Sequence, residues 1–423
     1  MPGLLIAAPA SGSGKTTVTL GLLRALSRRG VAVRGAKSGP DYIDPRFHEA
    51  ACGAECVNLD AWAMSSTRLR ALAGGTETLV VEGAMGLFDG APPDGRGACA
   101  DLARGLGLPV VLVVDAGRMA LSVAPLVAGF AGFDPTVRIG GVVLNRLGSP
   151  RHEGMLRRAL ERIGMPVLGA LPREAGLAHP SRHLGLVQAG ERPDLDAFLD
   201  HAADLIDRHL DLDALMALAG SASPLPPQAG PRVPPPAQRI ALARDAAFAF
   251  SYPHLLSDWR AQGAEIRVFS PLADDAVPEA DLVLLPGGYP ELHTGKLAQA
   301  QVFMQSLINA SQHSDIYGEC GGYMVLGESL TDAKGVSHRM AGLLKLSTSF
   351  AKRKLHLGYR KVTASQGPFA GAWAAHEFHY ATTLSAVGTP LFEACDAEGT
   401  VLPPMGLREG RICGSFAHLI DRA

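Results

Sequence analysis

Charge of neither sign prevails in this sequence: 39 lysines and arginines face 41 aspartates and glutamates, for a formal net charge of -2. That balance gives no electrostatic footprint for a nucleic-acid polyanion. Cysteine is scarce and irregular. The 6 cysteines form no CxxC and no regular spacing, which excludes a disulfide framework or a zinc site as the organising feature and leaves one or two with chemical work. Long apolar runs are missing too. The opening MPGLLIAAPASGSGKTT has no basic leading region, and its apolar stretch is too short for a signal peptide or a membrane span, so a cytoplasmic protein is expected.

What is present belongs to a globular chain, with 47% hydrophobic and 19% charged residues. At 423 residues it exceeds the size at which one core stops growing, so two domains are expected. The sharpest change in composition is SASPLPPQAGPRVPPPAQ, Ser221 to Gln238. Proline crowding there removes backbone donors and fixes φ, which suits a linker. The expected division is residues 1–220, a linker over 221–238, and residues 239–423. On both sides, short β-branched runs alternate with longer helical stretches, the pattern of βαβ units and parallel sheets. Expected strands are Leu4 to Ala8, Ala32 to Ala36, Thr78 to Val81, Val110 to Asp115 and Gly140 to Leu144. In the second half they are Ile240 to Ala243, Glu265 to Phe269, Leu282 to Leu285 and Asp315 to Tyr317.

The first expected strand runs directly into PASGSGKTT and then into a helical stretch. This is the strand, loop and helix context of a phosphate-binding P-loop. Gly12 and Gly14 let the backbone curl its N–H groups toward phosphate oxygens, and the helix N-terminus adds partial positive charge. Lys15 is placed to reach the β- and γ-phosphates of ATP and the Thr16 hydroxyl to bind Mg²⁺. Pro9 stands where the motif GxxxxGK[ST] has its first glycine. Glu82 follows the strand Thr78 to Val81, and Asp89 lies in the glycine-punctuated loop beyond it, at the sheet edge where ligands bind. The segment KSGPDYIDPRFH concentrates Lys37, Asp41, Tyr42, Asp44 and His48 around two prolines. Lys37 is a candidate phosphate contact, Asp41 and Asp44 candidate metal or acceptor groups, and His48 a structural residue.

In the second half, DLVLLPGGYPELH ends a strand on two glycines and DIYGECGGYMVLG ends another on Cys320. A strand, sharp turn and helix start would expose the thiol near helix N–H groups that stabilise the attacking thiolate. The backbone N–H groups of Gly288 and Tyr289 suit an oxyanion hole. A thiol nucleophile needs a base. The candidates are His338, His356, His376, His379 and His418, of which His418, in the expected terminal strand GSFAHLI, is preferred.

Eight segments in order, APASGSGKTTVTLGL, KSGPDYIDPRFH, VEGAMGLFDG, GVVLNRLGSPRH, ALARDAAFAFSY, LLPGGYPEL, GECGGYMVLG and HEFHY, span nearly the whole chain. Together they closely resemble the glutamine-dependent cobyrinic acid (or hydrogenobyrinic acid) a,c-diamide synthases of cobalamin biosynthesis. The resemblance implies a dethiobiotin-synthetase-like doubly wound P-loop domain followed by an α/β domain of the class I glutamine amidotransferase type. It implies a carbon-nitrogen ligase in which ATP phosphorylates the a and c acetate carboxylates of a corrinoid and ammonia from glutamine attacks each acyl phosphate. By the same resemblance, Gly12, Gly14, Lys15 and Thr16 bind nucleotide and Asn145 lies near adenine, and Ser13 and Thr17 of the same loop are expected to join them. Lys37, Asp41, Tyr42, Asp44 and Asp89 serve the acceptor or acyl phosphate, Thr16, Asp44 and Glu82 hold Mg²⁺, and Cys320 and His418 form the glutaminase pair. Many glutaminases carry a glutamate two positions after the histidine, where this chain has Ile420. That departure matches a Cys-His dyad and leaves Glu319 and Glu377 as candidates to orient the imidazole. The nearest alternatives are cobyric acid synthase and a nickel-tetrapyrrole a,c-diamide synthase. A ParA-like ATPase switch is the non-enzymatic alternative, and such switches carry a second lysine where this chain has Ala10. The sequence is compatible with a homodimer.

Overall fold

The computed structural model describes residues 2–174, 188–222 and 230–423. Residues 223–229 of the expected linker lie outside the described residues. The chain forms two compact units, Met1–Pro231 and Arg232–Ala423.

The first unit is built on seven strands: β1 (Gly3–Ala7), β2 (Val33–Ser38), β3 (Val57–Leu59), β4 (Thr78–Glu82), β5 (Val110–Asp115), β6 (Ile139–Leu147) and β7 (Val167–Pro172). They pair in parallel in the order β3-β2-β4-β1-β5-β6-β7. β1, β4 and most of β5 are buried along their whole length, which is why they read as unbroken apolar runs. The chain runs outward from β1 to β2 on one side and from β4 to β5 on the other. The carboxyl end of β1 is thus a topological switch point, the usual location of a ligand crevice. The helix α1 (Lys15–Arg28) starts there, capped by Gly14 at a positive φ of 94°. A second helix, α2 (Asp44–Cys52), begins with Asp44 and Pro45, and ends at Gly53 in the left-handed region.

The second unit has a sheet whose parallel core is β8 (Arg239–Ala243), β9 (Glu265–Phe269), β10 (Leu282–Leu285) and β11 (Asp315–Glu319). Strands Ile412–Ser415 and Leu407–Glu409 extend it. Nearly a hundred residues after the Cys320 turn depart from the βαβ pattern expected of the sequence. They form a four-stranded and a five-stranded mostly antiparallel sheet. In the five-stranded one, Gly371–His379 pairs with both His356–Ala364 and Ala417–Arg422. Among the described residues no helix is long and apolar enough to cross a membrane.

Candidate functional sites

The phosphate loop bends as its glycines require, with Gly12 and Gly14 at φ of 79° and 94°. A Cβ on Gly14 would come within 2.2 Å of Asn145 Nδ2. That amide, at the carboxyl end of β6, donates to the Ser13 carbonyl at 2.8 Å. Asn145 therefore braces the loop from behind, a contact not foreseen from the sequence. Ser13 Oγ closes the loop on the Ala10 carbonyl at 2.8 Å. Lys15 is buried, and its ammonium donates to the Met85 carbonyl at 2.6 Å. Burial, then the neighbouring Lys37 charge, lowers its pKa from the ordinary lysine value.

Strand register assembles the charged groups. In the β2/β4 ladder Lys37 lies opposite Glu82, and in the β1/β4 ladder Ile6 lies opposite Glu82. Glu82 thus sits at the centre of the sheet, 1% exposed. Its Oε1 accepts from Thr16 Oγ1 at 2.6 Å and from Lys37 Nζ at 2.9 Å. Its Oε2 lies 2.7 Å from Nε2 of the fully buried His48. Lys37 donates also to Asp44 Oδ2 at 2.6 Å. Burial opposes charge on both Glu82 and Lys37. The Lys37 charge, with the His48 and Thr16 hydrogen bonds, nevertheless holds the Glu82 carboxyl well below the usual range. Asp44 and Glu82 hold the Lys37 ammonium well above its ordinary value. The group is an ionised, hydrogen-bonded cluster directly under α1.

The structure brings Thr16, Lys37, Asp44 and Glu82 together, and adds His48, read from the sequence as merely structural. Lys37, a candidate phosphate contact, is instead clamped between two carboxylates. Asp41 stays beside this cluster, its Oδ1 accepting from the Ile43 and Asp44 N–H groups at 2.7 and 3.1 Å. Burial, then the Asp44 charge, raises its pKa to about 6. Tyr42 is buried next to it. Asp89 caps its own loop by accepting from the Gly86 N–H at 2.9 Å. Thr17 is the third residue of α1, in its first turn.

In the second unit Cys320 follows β11 at φ 44° and ψ -98°, a strained turn for a residue with a side chain. It is locked by its own N–H to the Ser415 carbonyl at 2.8 Å and by Gly322 N–H to the Pro286 carbonyl at 3.1 Å. A Cβ on Gly322 would come within 1.9 Å of the Leu285 carbonyl oxygen, so β10 and the turn touch backbone to backbone. A Cβ on Gly321 would lie 3.1 Å from Gly288 N, which places that N–H beside the Cys320 turn. Gly288 itself has no room for a side chain, since a Cβ would meet the Ala247 carbonyl oxygen at 2.2 Å. Tyr289 is buried, edge-on to Phe250 at 5.2 Å between ring centroids.

His418 lies on the terminal strand, as expected, directly across from His376 in the ladder. The two rings stack at 4.9 Å. The imidazole faces the Gly287 turn, where an added Cβ would lie 2.4 Å from its Cε1. Burial, followed by the His376 and His379 charges, lowers the His418 pKa well below the ordinary value, so the ring is neutral. Burial likewise lowers His376 to about 3. Of the two candidate orienting carboxylates, Glu319 is the one near the ring, with Oε2 3.8 Å from His418 Nδ1. Its Oε1 accepts from the Leu419 N–H at 3.1 Å, and burial raises it to about 8. Glu377 is engaged elsewhere, by Arg360 at 2.8 Å and His379 at 3.0 Å. Arg360 had no signal in the sequence, because its role rests on strand pairing alone.

The thiol differs from its sequence-based expectation. Helix N–H groups were expected to favour the thiolate. The Cys320 thiol is instead pushed far above its ordinary pKa by burial and then by Glu291 and Glu319, with only the Gly321 N–H pulling the other way. The resting pair is neutral thiol and neutral imidazole.

The chain matches two family models, a "CobQ/CobB/MinD/ParA nucleotide binding domain" over residues 4–187 and a "CobB/CobQ-like glutamine amidotransferase domain" over residues 239–422. It is similar over its whole length to proteins named hydrogenobyrinate a,c-diamide synthase. The protein of Brucella anthropi is 56% identical, with 100% of this chain and 99% of the relative aligned. That of Rhizobium meliloti is 56% identical over 100% of this chain and 99% of the relative. That of Rhodobacter capsulatus is 53% identical over 99% and 98%. With a nucleotide-binding unit and a glutamine amidotransferase unit in one chain, at this identity and coverage, the chain belongs to the hydrogenobyrinate a,c-diamide synthase family.

Proposed function

We propose that the protein uses ATP and glutamine to convert the a and c acetate carboxylates of hydrogenobyrinate into amides through acyl phosphates, in the cytoplasm. The observation that carries this reading is the pairing, in one chain, of a P-loop whose Thr16 hydroxyl bonds to a buried ionised Glu82 with a unit that holds a strained Cys320 turn and a neutral His418 facing the Gly287 turn. Carboxylate oxygen is a poor leaving group. Transfer of the γ-phosphoryl to that oxygen releases ADP and creates a leaving group that ammonia can displace. Gly12, Ser13, Gly14, Lys15, Thr16 and Thr17 bind the nucleotide, and Asn145 shapes the loop that does so. Thr16, Asp44 and Glu82 offer an all-oxygen donor set that fits Mg²⁺, and the cluster already holds one cation, the Lys37 ammonium, between two of its carboxylates. Mg²⁺ bound there would supply charge neutralisation at the phosphates. Asp41, Tyr42 and Asp89 serve the acceptor side.

In the other unit, Cys320 Sγ attacks the glutamine amide carbon as His418 accepts the thiol proton. The N–H groups of Gly288 and Tyr289 receive the oxyanion, and His418 returns the proton to departing ammonia. Water then cleaves the thioester to glutamate. Because the resting pair is neutral, proton transfer accompanies attack, and Glu319 takes the place of the missing glutamate at position 420. Substituting Glu319→Ala is expected to lower glutamine-dependent kcat by up to about a hundredfold, since a misaligned base costs that much. The glutamine KM and the ammonia-dependent rate should stay unchanged, and Glu319→Gln, which keeps an acceptor for the Leu419 N–H, should recover most of the loss. An equal rate in Glu319→Ala would remove the positioning role.

The whole reading is tested by product mass after incubation with ATP, Mg²⁺, glutamine and hydrogenobyrinic acid. Two replacements of OH by NH₂, with ADP and glutamate formed, are expected. More than two would move the protein to cobyric acid synthase chemistry, and none would mean another acceptor.

A further inference from the structure

Beside the phosphate loop lies an open cleft of about 470 Å³ that the cluster around Glu82 does not use. Its walls are Pro9 and Asp89 on the phosphate side and Phe88, Leu126, Phe130 and Phe133 on the other. Three aromatic rings line it. Phe88 and Phe130 stack at 5.8 Å and 27°, and Phe133 leans on Phe88 at 4.7 Å. Two of these rings come from the helix Val123–Phe133, VAPLVAGFAGF, which carries no charged residue yet buries only Val123 and Val127. Phe133 is 73% exposed. An apolar, aromatic-lined helix left open to water at the mouth of a nucleotide site is a surface awaiting a partner.

We infer that this cleft receives one apolar edge of the conjugated macrocycle whose carboxylate is phosphorylated, with Phe88, Phe130 and Phe133 packing on the ring. The inference rests on the acceptor reading above and deepens it. Three features select a flat, conjugated small molecule. The cleft begins at Pro9, so a carboxylate brought to the phosphates leaves the body of its molecule in this direction. Its volume is within the range of ligand clefts yet too small to enclose a tetrapyrrole, which suits an edge held while the polar carboxylates remain outside. Its lining offers ring faces and edges and no cationic side chain, so it selects the apolar part of the acceptor.

The test uses the full chain with Phe130→Ala and, separately, Phe133→Ala, the latter at an exposed ring whose loss leaves folding intact. The expected result is a rise of at least about tenfold in the KM for hydrogenobyrinic acid, the scale of one lost aromatic contact. The KM for ATP, glutamine hydrolysis and the solution mass should all be unchanged. A corrinoid KM within twofold of the parent in both variants overturns the inference. A fall in solution mass accompanying the KM change assigns the surface to a second copy of the chain and also overturns it. If the parent chain itself does not turn over hydrogenobyrinic acid, the acceptor reading fails first, so the two failures are told apart.

Discussion

Cys320→Ser is expected to abolish amidation from glutamine while leaving amidation from ammonium salt at the parent rate. The serine hydroxyl is a far weaker acid than the thiol. In this site burial also lowers the basicity of His418, so the proton transfer that accompanies attack by the thiol is far slower from the hydroxyl, which is the poorer nucleophile as well. Loss of glutamine-dependent turnover should reach roughly 10³-fold or more, the scale of removing one member of a unit that acts together. The ammonia-dependent reaction needs none of these atoms. Nucleotide binding and the Thr16, Lys37, Asp44 and Glu82 cluster belong to the other compact unit. The measurement is steady-state product formation with each nitrogen source at saturating ATP and acceptor. Loss of both activities in a folded Cys320→Ser protein would sink the division of labour between the units. Unchanged activity with glutamine would remove Cys320 as nucleophile.

The parts of the fold legible in the sequence are those whose strands are buried on both faces. β1, β4, β5 and β10 are continuous apolar runs with punctuated ends, and their positions follow from composition within a residue or two. Apart from the terminal strand that carries His418, the antiparallel sheets were not legible. Strand His356–Ala364 alternates between exposed and buried residues only over its last four positions, and Thr382–Val387 is exposed along nearly all its length. Such segments become strands by pairing with partners distant in sequence, and local pattern carries little of that.

The candidate sites divide in the same way. The phosphate loop and the Cys320 turn were readable because glycine is demanded locally, by positive φ and by backbone contact. The Glu82 cluster was not, since it depends on β2 and β4 pairing in the register that sets Lys37 against Glu82. His48 reaches Glu82 only because α2 lies over that register. The stacking of His376 on His418, and the choice of Glu319 over Glu377 as neighbour of the imidazole, follow from strand pairing in the second unit. Burial is the other hidden variable. It makes the Cys320 pair neutral, although the sequence-level setting of a cysteine at a helix start suggests a thiolate.

Glu82→Gln is expected to lower ammonia-dependent and glutamine-dependent turnover alike, by on the order of 10²- to 10³-fold, the cost of removing one pre-arranged charge from a phosphoryl-transfer site. Glu82 is the shared acceptor for Thr16 and Lys37, so its neutralisation weakens the Thr16 hydrogen bond and leaves the buried Lys37 ammonium with Asp44 as its remaining hydrogen-bonded carboxylate. An incompletely paired buried charge also destabilises the fold, which by itself would lower activity. The double variant Lys37→Gln/Glu82→Gln separates the two effects, because it removes both charges together. If Glu82 acts in phosphoryl transfer, the double variant regains the thermal stability lost by Glu82→Gln but none of the turnover. Glutamine hydrolysis by the Cys320 unit should persist throughout. Lys15→Ala should match Glu82→Gln in losing amidation from both nitrogen sources and should weaken ATP binding as well, since the Lys15 ammonium is then no longer available to the phosphates. Full ammonia-dependent turnover in a folded Glu82→Gln protein would refute the assignment of Glu82. Turnover restored in the double variant would make the cluster a device of stability alone.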